Sequence, residues 1–154
     1  MNLRGEYDVI VVGSGAGGML AAIAAKSSGS EVVILEKEHL VGGTTGVSGG
    51  IIWSPMNHHM QALNIKDSKK MAMDYFLSLS QGEIDPSMLE VFVSKSSEAI
   101  KFMEENSQVS LKVLKGYPDY YLDKPGAIKG GGRALDNELF SFNELGVWKD
   151  KVRS

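Results

Sequence analysis

YDVIVVGSGAGG, residues 7–18, is the stretch that decides the fold of this chain. Its first half is a short run of mainly β-branched apolar residues, which predicts a buried parallel strand. Small helix-forming residues follow in 17–28, and Gly29 supplies a natural helix end. The apolar run EVVILE, 31–36, predicts a second strand. A strand, a glycine turn, a helix and a strand in this order predict a Rossmann-like βαβ unit at about residues 7–36, and so an α/β fold with added helices.

The glycine turn between the first strand and the helix has the spacing G-x-G-x-x-G. Gly13 allows the sharp exit from the strand, Gly15 lets the backbone approach a pyrophosphate, and Gly18 lets the helix lie close to the sheet. The start of the helix offers free N–H groups and a positive dipole end to phosphates. We therefore expect the whole turn to bind a dinucleotide; it comprises Gly13, Ser14, Gly15, Ala16, Gly17 and Gly18. A tight turn without a ligand is the alternative.

Glu36 closes the second strand, about 20 residues after the glycine turn, where a carboxylate accepts hydrogen bonds from an adenosine ribose. Its negative charge disfavours the 2′-phosphate of NADP. This unit alone leaves both FAD and NAD open.

A second glycine-rich segment, GGTTGVSGG at 42–50, follows the second strand closely. Glycine and threonine let backbone amides and small hydroxyls approach an isoalloxazine ring. Together with Glu36 and Lys37, this segment resembles the FAD-binding N-terminus of the fumarate reductase/succinate dehydrogenase flavoprotein superfamily. The resemblance implies FAD as the cofactor, held by Glu36, Lys37, Gly43, Thr44, Thr45, Ser48, Gly49 and Gly50 in addition to the turn. A flexible surface loop is the alternative.

The resemblance also implies how the flavin is held. Superfamily members that attach FAD covalently carry a histidine just before the threonine, and Gly43 stands at that place here. We therefore expect non-covalent FAD.

A tyrosine-rich segment, GYPDYY at 116–121, narrows the resemblance. With IWSPMN at 52–57 and GGGR at 130–133, it resembles the 3-ketosteroid Δ1-dehydrogenases. The resemblance implies removal of hydrogens across C1–C2 of a 3-oxosteroid, hydride transfer to flavin N5, and an external electron acceptor. It places Tyr121 in the active site, where it assists a second tyrosine that acts as the base. A tyrosine turn that only packs against a core is the alternative.

Two other functions stay open at this stage. One is a fumarate reductase-type flavoenzyme acting on another activated C–C bond, and the other is an inactive, truncated FAD-binding module. The resembling families are much longer, so we expect residues 1–154 to be the N-terminal part of an incomplete FAD/NAD(P)-binding domain, without the substrate cap domain and the C-terminal FAD segment. Its predicted parts are the βαβ unit, a flavin loop at 37–55, a helical pair at about 67–106 and a Tyr-rich loop at 116–133.

The helical pair has its own start signals. Asp67 is predicted to cap the first helix, which has Met71 and Tyr75 on its apolar face. Asp85 caps the second, with Pro86 at its first helical position. Arg133 is expected either to contact the flavin or to brace its loop.

Composition excludes several classes of function. A net charge of −3 gives no basic surface for nucleic acid, and the absence of cysteine excludes thiolate catalysis and thiolate metal sites. His58 and His59 have no carboxylate at a useful sequence spacing, so we expect them to be exposed and expect no metal. The uncharged run 9–25 is short and broken by glycines, which argues against a transmembrane segment. The expected location is the cytoplasm, with peripheral membrane attachment as a further option.

Overall fold

The structure, a computed structural model, describes residues 5–153; residues 1–4 and 154 lie outside it. The chain mixes helices with strands and divides into two compact units. The first contains the residues up to Gly50 together with those from Leu139 onward, and the second is Ile51–Glu138. All the predicted cofactor residues belong to the first unit, whereas Tyr121 belongs to the second.

The first unit contains a strand, a helix and a parallel strand. β1 is Val9–Val12, α1 is Ala16–Ser27 and β2 is Val32–Leu35. The two strands pair in parallel, with Val9 opposite Val32. The order and type of these elements are those that the apolar runs and the glycine turn predict for residues 7–36.

Two short 3₁₀ segments complete the first unit. The segment Thr45–Val47 lies within the second glycine-rich stretch, and the segment Phe142–Lys151 is kinked at Gly146. Val152 then forms a parallel β-bridge with Val41. The sequence after Gly116 is rich in turn residues. Its last part nevertheless contains regular structure, namely this 3₁₀ segment and this β-bridge.

The helices of the second unit are α2, His58–Ala62, α3, Lys69–Leu79, and α4, Pro86–Asn106. The start of α4 is as predicted, because the Asp85 side chain accepts a hydrogen bond from the amide of Ser87. The short helix α2 carries no strong sequence signal and was not predicted.

The prediction that Asp67 caps the first helix of the pair is wrong. Ser68 is the N-cap of α3, and its hydroxyl accepts a hydrogen bond from the amide of Met71. Asp67 is buried and its carboxylate is engaged by Arg133, so it is not available to the helix.

An antiparallel sheet of order β3-β5-β4 completes the second unit. Its strands are β3, Ile52–Trp53, β4, Leu111–Val113, and β5, Ala134–Asn137. β4 lies within the partly alternating sequence SQVSLKVLK at 107–115, whereas β3 and β5 are too short to show a clear alternation in the sequence.

The core of the second unit has two clusters of buried apolar side chains. One lies between the sheet and the C-terminal half of α4 and contains Ile100, Leu111, Val113 and Leu135. The other lies between α3 and the start of α4 and contains Ala72, Leu89 and Val93. Phe92 of α4 is 43% exposed, so this aromatic side chain is only partly covered.

Candidate cofactor site

The glycine turn brings α1 very close to the end of β1. Gly13 has φ of +95°, a conformation that favours glycine, and it turns the chain out of the strand. A Cβ added at Gly18 would overlap the carbonyl oxygen of Gly13 and lie 3.3 Å from Cγ1 of Val11. The first glycine is therefore required by the backbone conformation of the turn, and the third by the close packing of the helix on the strand.

The N-terminus of α1 leaves backbone donors open. Gly15 is the N-cap, and no side chain from that position caps the helix. The amide of Ala16 donates to Oγ1 of Thr45 at 3.1 Å. Within residues 5–153, the amides of Gly17 and Gly18 have no hydrogen-bond acceptor. Two N–H groups at the positive end of the helix are thus available to an anion.

The second glycine-rich segment folds back onto the first. Gly43, with φ of +55°, approaches so closely that a Cβ on it would lie 3.3 Å from Cα of Gly15. The amide of Gly42 donates to Oγ of Ser14 at 2.9 Å. Segments that the sequence separates by about 28 residues therefore form one continuous surface of backbone and small side chains.

The hydroxyl-bearing residues of this segment lie at the surface of the first unit. Thr44, Thr45 and Ser48 are exposed, and Ser48 Oγ donates to the carbonyl of Thr45 at 2.8 Å and accepts from the amide of Gly50 at 3.1 Å. Gly49 has open space around it. Small polar groups therefore border the N-terminus of α1 without filling the space before it.

Glu36 is held firmly at the end of β2. One carboxylate oxygen accepts hydrogen bonds from the Ser14 hydroxyl at 2.5 Å and from the Ser14 amide at 3.0 Å. The other accepts from the amide of Glu38 at 3.0 Å. These donors, the Ser14 hydroxyl first, lower the pKa of Glu36 to about 2. The neighbouring Lys37 is exposed and pairs with Glu38.

Tyr121, the predicted active-site tyrosine, lies in the turn-rich part of the second unit. Its side chain is 54% exposed, and its backbone amide donates to the hydroxyl of the buried Tyr75 at 3.3 Å. The hydroxyls of Tyr117 and Tyr120 lie 3.1 Å apart, and this hydrogen bond raises the pKa of Tyr117.

Sequence reasoning missed a buried ionic cluster in the second unit. Arg133 is 1% exposed and forms two parallel hydrogen bonds with Asp67, from Nε to Oδ2 at 2.9 Å and from Nη2 to Oδ1 at 2.6 Å. Its Nη1 donates to Oδ2 of Asp119 at 2.8 Å. The guanidinium carbon also lies 5.1 Å from the centre of the Trp53 ring. Of the two roles considered for Arg133, the structure shows bracing.

The carboxylates of this cluster have further donors. Asp67 accepts from the amide of Met56 at 3.0 Å. Asp119 accepts from Nε1 of Trp53 at 2.8 Å and from the amide of Ile128 at 2.8 Å. Asp119 therefore holds the Trp53 side chain, the Ile128 amide and the Arg133 guanidinium together.

The prediction that His58 and His59 are exposed and lack a carboxylate partner is wrong. Both are half-buried at the start of α2, and both ring Nε2 atoms lie against the carboxylate of Glu104 on α4. The partner lies 45 residues from His59 in the sequence, so spacing gives no indication of it.

Among residues 5–153, no helix is both long and apolar enough to cross a membrane.

The parallel strands, the glycine turn and the open helix N-terminus are features of a dinucleotide-binding protein. The family model described as "FAD binding domain" matches residues 8–152. The chain therefore belongs to the FAD-binding domain family, and the expected cofactor FAD is confirmed.

Dehydrogenases are among the relatives of this chain. The chain is 39% identical over 152 residues to 4-oxocyclohexanecarboxylate 2-dehydrogenase of Sinomonas cyclohexanicum, covering 98% of this chain and 26% of that protein. It is 33% identical over 142 residues to 3-oxosteroid 1-dehydrogenase of Mycobacterium tuberculosis strain H37Rv, covering 92% of this chain and 25% of that protein.

A solved structure agrees with these relatives. The 3-ketosteroid Δ1-dehydrogenase of Sterolibacterium denitrificans, crystallised with 1,4-androstadiene-3,17-dione, matches with a TM-score of 0.88 and 39% identity. The match covers 96% of this chain and 26% of that one. The chain thus spans about a quarter of the length of the relatives that it matches, and its resemblance to 3-ketosteroid Δ1-dehydrogenases is confirmed.

Proposed function

We propose that this chain binds FAD non-covalently in a Rossmann-like βαβ unit and serves a dehydrogenase that removes the hydrogens across C1–C2 of a 3-oxosteroid. The observation that carries the proposal is the pair of free amides at Gly17 and Gly18, at the start of a helix in a chain of the FAD-binding family. Two aligned N–H donors at a helix N-terminus suit a pyrophosphate.

The surroundings of these amides fit the same ligand. Gly13, Gly15 and Gly43 present backbone without side chains beside these amides. Bulk at the third of these positions would meet Gly15, so the cradle depends on glycine. We assign the diphosphate and flavin to the residues of the turn and the second segment: Gly13, Ser14, Gly15, Ala16, Gly17, Gly18, Gly43, Thr44, Thr45, Ser48, Gly49 and Gly50.

Glu36 fits the ribose of the adenosine part. Its carboxylate is ionised over the physiological range, because the hydrogen bonds from Ser14 and Glu38 lower its pKa to about 2. A carboxylate offers about four lone-pair positions. The Ser14 hydroxyl and the amides of Ser14 and Glu38 occupy three of them, so one position remains for a ribose hydroxyl. The exposed Lys37 lies next to it and adds a positive charge near the cofactor.

The resemblance to the fumarate reductase/succinate dehydrogenase flavoprotein superfamily supports non-covalent attachment. Gly43 stands where a covalent link would need a nucleophilic side chain, and the chain has no cysteine. Thr44 and Thr45 supply hydroxyls that donate and accept hydrogen bonds without reacting.

Tyr121 is the residue of this chain that we assign to the chemistry. A 3-keto group acidifies the hydrogen on C2, so a phenolate is a sufficient base there. The exposed phenol of Tyr121 donates a hydrogen bond to such a phenolate and so lowers its pKa. When bound, FAD supplies the acceptor for the hydride that leaves C1.

A small cyclic ketone is a second candidate substrate. The 39% identity to 4-oxocyclohexanecarboxylate 2-dehydrogenase favours it, because that protein also acts beside a ring ketone. The two candidates share the activated C–H bond and differ in the rest of the substrate.

The cofactor assignment is tested first on the purified chain loaded with FAD. We expect FAD to stay bound through gel filtration, to give flavin absorbance, and to leave the protein on acid precipitation. A chain that retains no FAD contradicts the cofactor assignment, and FAD that stays with the precipitate contradicts the non-covalent link.

The substrate assignment is tested by dye-coupled oxidation. In a protein that carries this chain together with the base and the cap domain, we expect oxidation of 4-androstene-3,17-dione, with a lower kcat in Tyr121→Phe and little change in Tyr120→Phe. Oxidation of 4-oxocyclohexanecarboxylate alone would favour the second candidate, and reduction of fumarate in place of either would contradict both.

A further inference from the structure

We propose that His58, His59 and Glu104 form a binding site for one Zn²⁺ ion. Each of the three residues offers one ligand atom, and these atoms all lie within 4.8 Å of one another. Two imidazoles and a carboxylate are ligands that Zn²⁺ takes in proteins. The site lies in the second unit, outside the residues assigned to the cofactor.

The ring nitrogens of the two histidines converge on one carboxylate. Nε2 of His58 lies 3.0 Å from Oε2 of Glu104, and Nε2 of His59 lies 3.1 Å from both of its oxygens. Ligands at about 2.0–2.2 Å from a tetrahedral zinc are about 3.3–3.6 Å apart. The two Nε2 atoms lie a few tenths of an ångström closer than this to the carboxylate oxygens, and all the ligand atoms lie within 4.8 Å of one another. Rotations of the side chains would bring these atoms to the spacing that the ion needs.

The backbone presents the two histidines in a fixed way. Asn57 is fully buried, and its side chain caps α2 by accepting from the amide of Met60. Its Nδ2 donates to the carbonyls of Ser54 and Gly132. These contacts fix the first turn of α2, and with it the positions of His58 and His59, whose ring centres are 4.0 Å apart.

Glu104 is also oriented by a contact outside the cluster. Its Oε1 accepts a hydrogen bond from the amide of Leu111 at 3.0 Å, at the start of β4. Hydrogen bonds of this kind orient carboxylates that bind metals. Nδ1 of His58 is buried and has no hydrogen-bond partner among residues 5–153, so the polar contact of this ring is made through Nε2 alone.

The accessibility of the cluster suits an ion that enters from solvent. The side chains of His58, His59 and Glu104 are 37%, 25% and 16% exposed. Three protein ligands leave a fourth position of the tetrahedron for water. A bound ion would join α2 to α4, two helices that are far apart in the sequence.

The experiment measures Zn²⁺ binding to the full chain, made without a polyhistidine tag and stripped of metal with a chelator. Calorimetry is expected to show one equivalent of Zn²⁺ per chain. Co²⁺, used as a spectroscopic probe, is expected to give the visible absorption of a tetrahedral site. Zn²⁺ is also expected to raise the melting temperature.

Two variants and one control make the test specific. Glu104→Gln keeps an oxygen that accepts from the amide of Leu111, so the fold should be preserved. Both Glu104→Gln and His59→Ala should weaken Zn²⁺ binding at least about tenfold. His39→Ala removes an exposed histidine outside the cluster and should leave binding unchanged. Circular dichroism confirms that each variant is folded. Equal affinity in the original chain and in Glu104→Gln, or loss of binding in His39→Ala, would overturn the proposal.

Discussion

The glycine turn of the first unit and the Arg133 cluster of the second differ in whether their polar groups are paired within the protein. At the turn, the amides of Gly17 and Gly18 have no acceptor within the described residues. In the cluster, Arg133 and its two carboxylates satisfy one another and are removed from solvent. The first arrangement leaves hydrogen-bonding capacity for a ligand, and the second uses it to hold the fold.

This difference in pairing distinguishes residues that can bind a ligand from residues that stabilise the fold. A guanidinium among aromatic rings and carboxylates is easily taken for a substrate clamp, but every donor of the pairs with Asp67 and Asp119 points into the protein. The open amides, by contrast, are ordinary backbone groups without a charged side chain. In this chain, backbone N–H donors without an acceptor indicate the binding site, whereas the buried charged groups indicate contacts that stabilise the fold.

The largest expected effect comes from breaking the Arg133 cluster. Arg133→Ala leaves Asp67 and Asp119 as buried charges without a counter-ion, which destabilises a protein by about 3–5 kcal/mol. Urea unfolding followed by tryptophan fluorescence measures the loss. Lys129→Ala is the matched control, because it removes a nearby exposed cation. A loss below about 1 kcal/mol, the range of exposed ion pairs, would show that the cluster does not hold the fold.

The next effect tests the close approach at the glycine turn. Gly18→Ala places a Cβ against the carbonyl of Gly13, and such overpacking costs about 1–3 kcal/mol. Gly17→Ala is the control, because a Cβ there meets nothing within 4 Å, and alanine favours a helix by about 1 kcal/mol over glycine. The two substitutions should therefore shift the urea midpoint in opposite directions. Equal shifts would argue against tight packing of α1 on β1.

A smaller effect concerns the helix cap beside the Arg133 cluster. Ser68→Ala removes the hydroxyl that accepts from the amide of Met71, and the loss of such a cap costs about 1 kcal/mol. Asp67→Ala should cost several times more, because Asp67 holds Arg133 and does not cap the helix. Urea unfolding of both variants gives the comparison, and a larger loss in Ser68→Ala than in Asp67→Ala would contradict the stabilising role of Asp67 in the Arg133 cluster.

How far the sequence predicts each region depends on how local its interactions are. The glycine turn is a contiguous motif between two apolar runs, so both its conformation and its ligand class follow from neighbouring residues. Asp67, Asp119 and Arg133 are widely separated, and no periodicity links them. Their pairing depends on tertiary folding, which also explains why Asp67 was mistaken for a cap and why Glu104 was not recognised as the partner of His58 and His59.

The smallest expected effect is a change in the pKa of Glu36. It tests whether the Ser14 hydroxyl keeps this carboxylate ionised before a ligand binds. The pKa of Glu36 is lowered from 4.5 to about 2, first of all by the Ser14 hydroxyl. Because the folded-state pKa is depressed, the stability that Glu36 contributes is complete above pH 4.5 and is lost as the pH falls through about 2.

Ser14→Ala should raise the pKa of Glu36 towards 4.5 without reaching it, since the amides of Ser14 and Glu38 still donate. A carboxyl ¹³C NMR titration measures the midpoint, with Ser28→Ala as the control, because the Ser28 hydroxyl donates to the carbonyl of Ala24 and not to Glu36. An unchanged midpoint in Ser14→Ala would show that the backbone alone holds Glu36 in its ionised state.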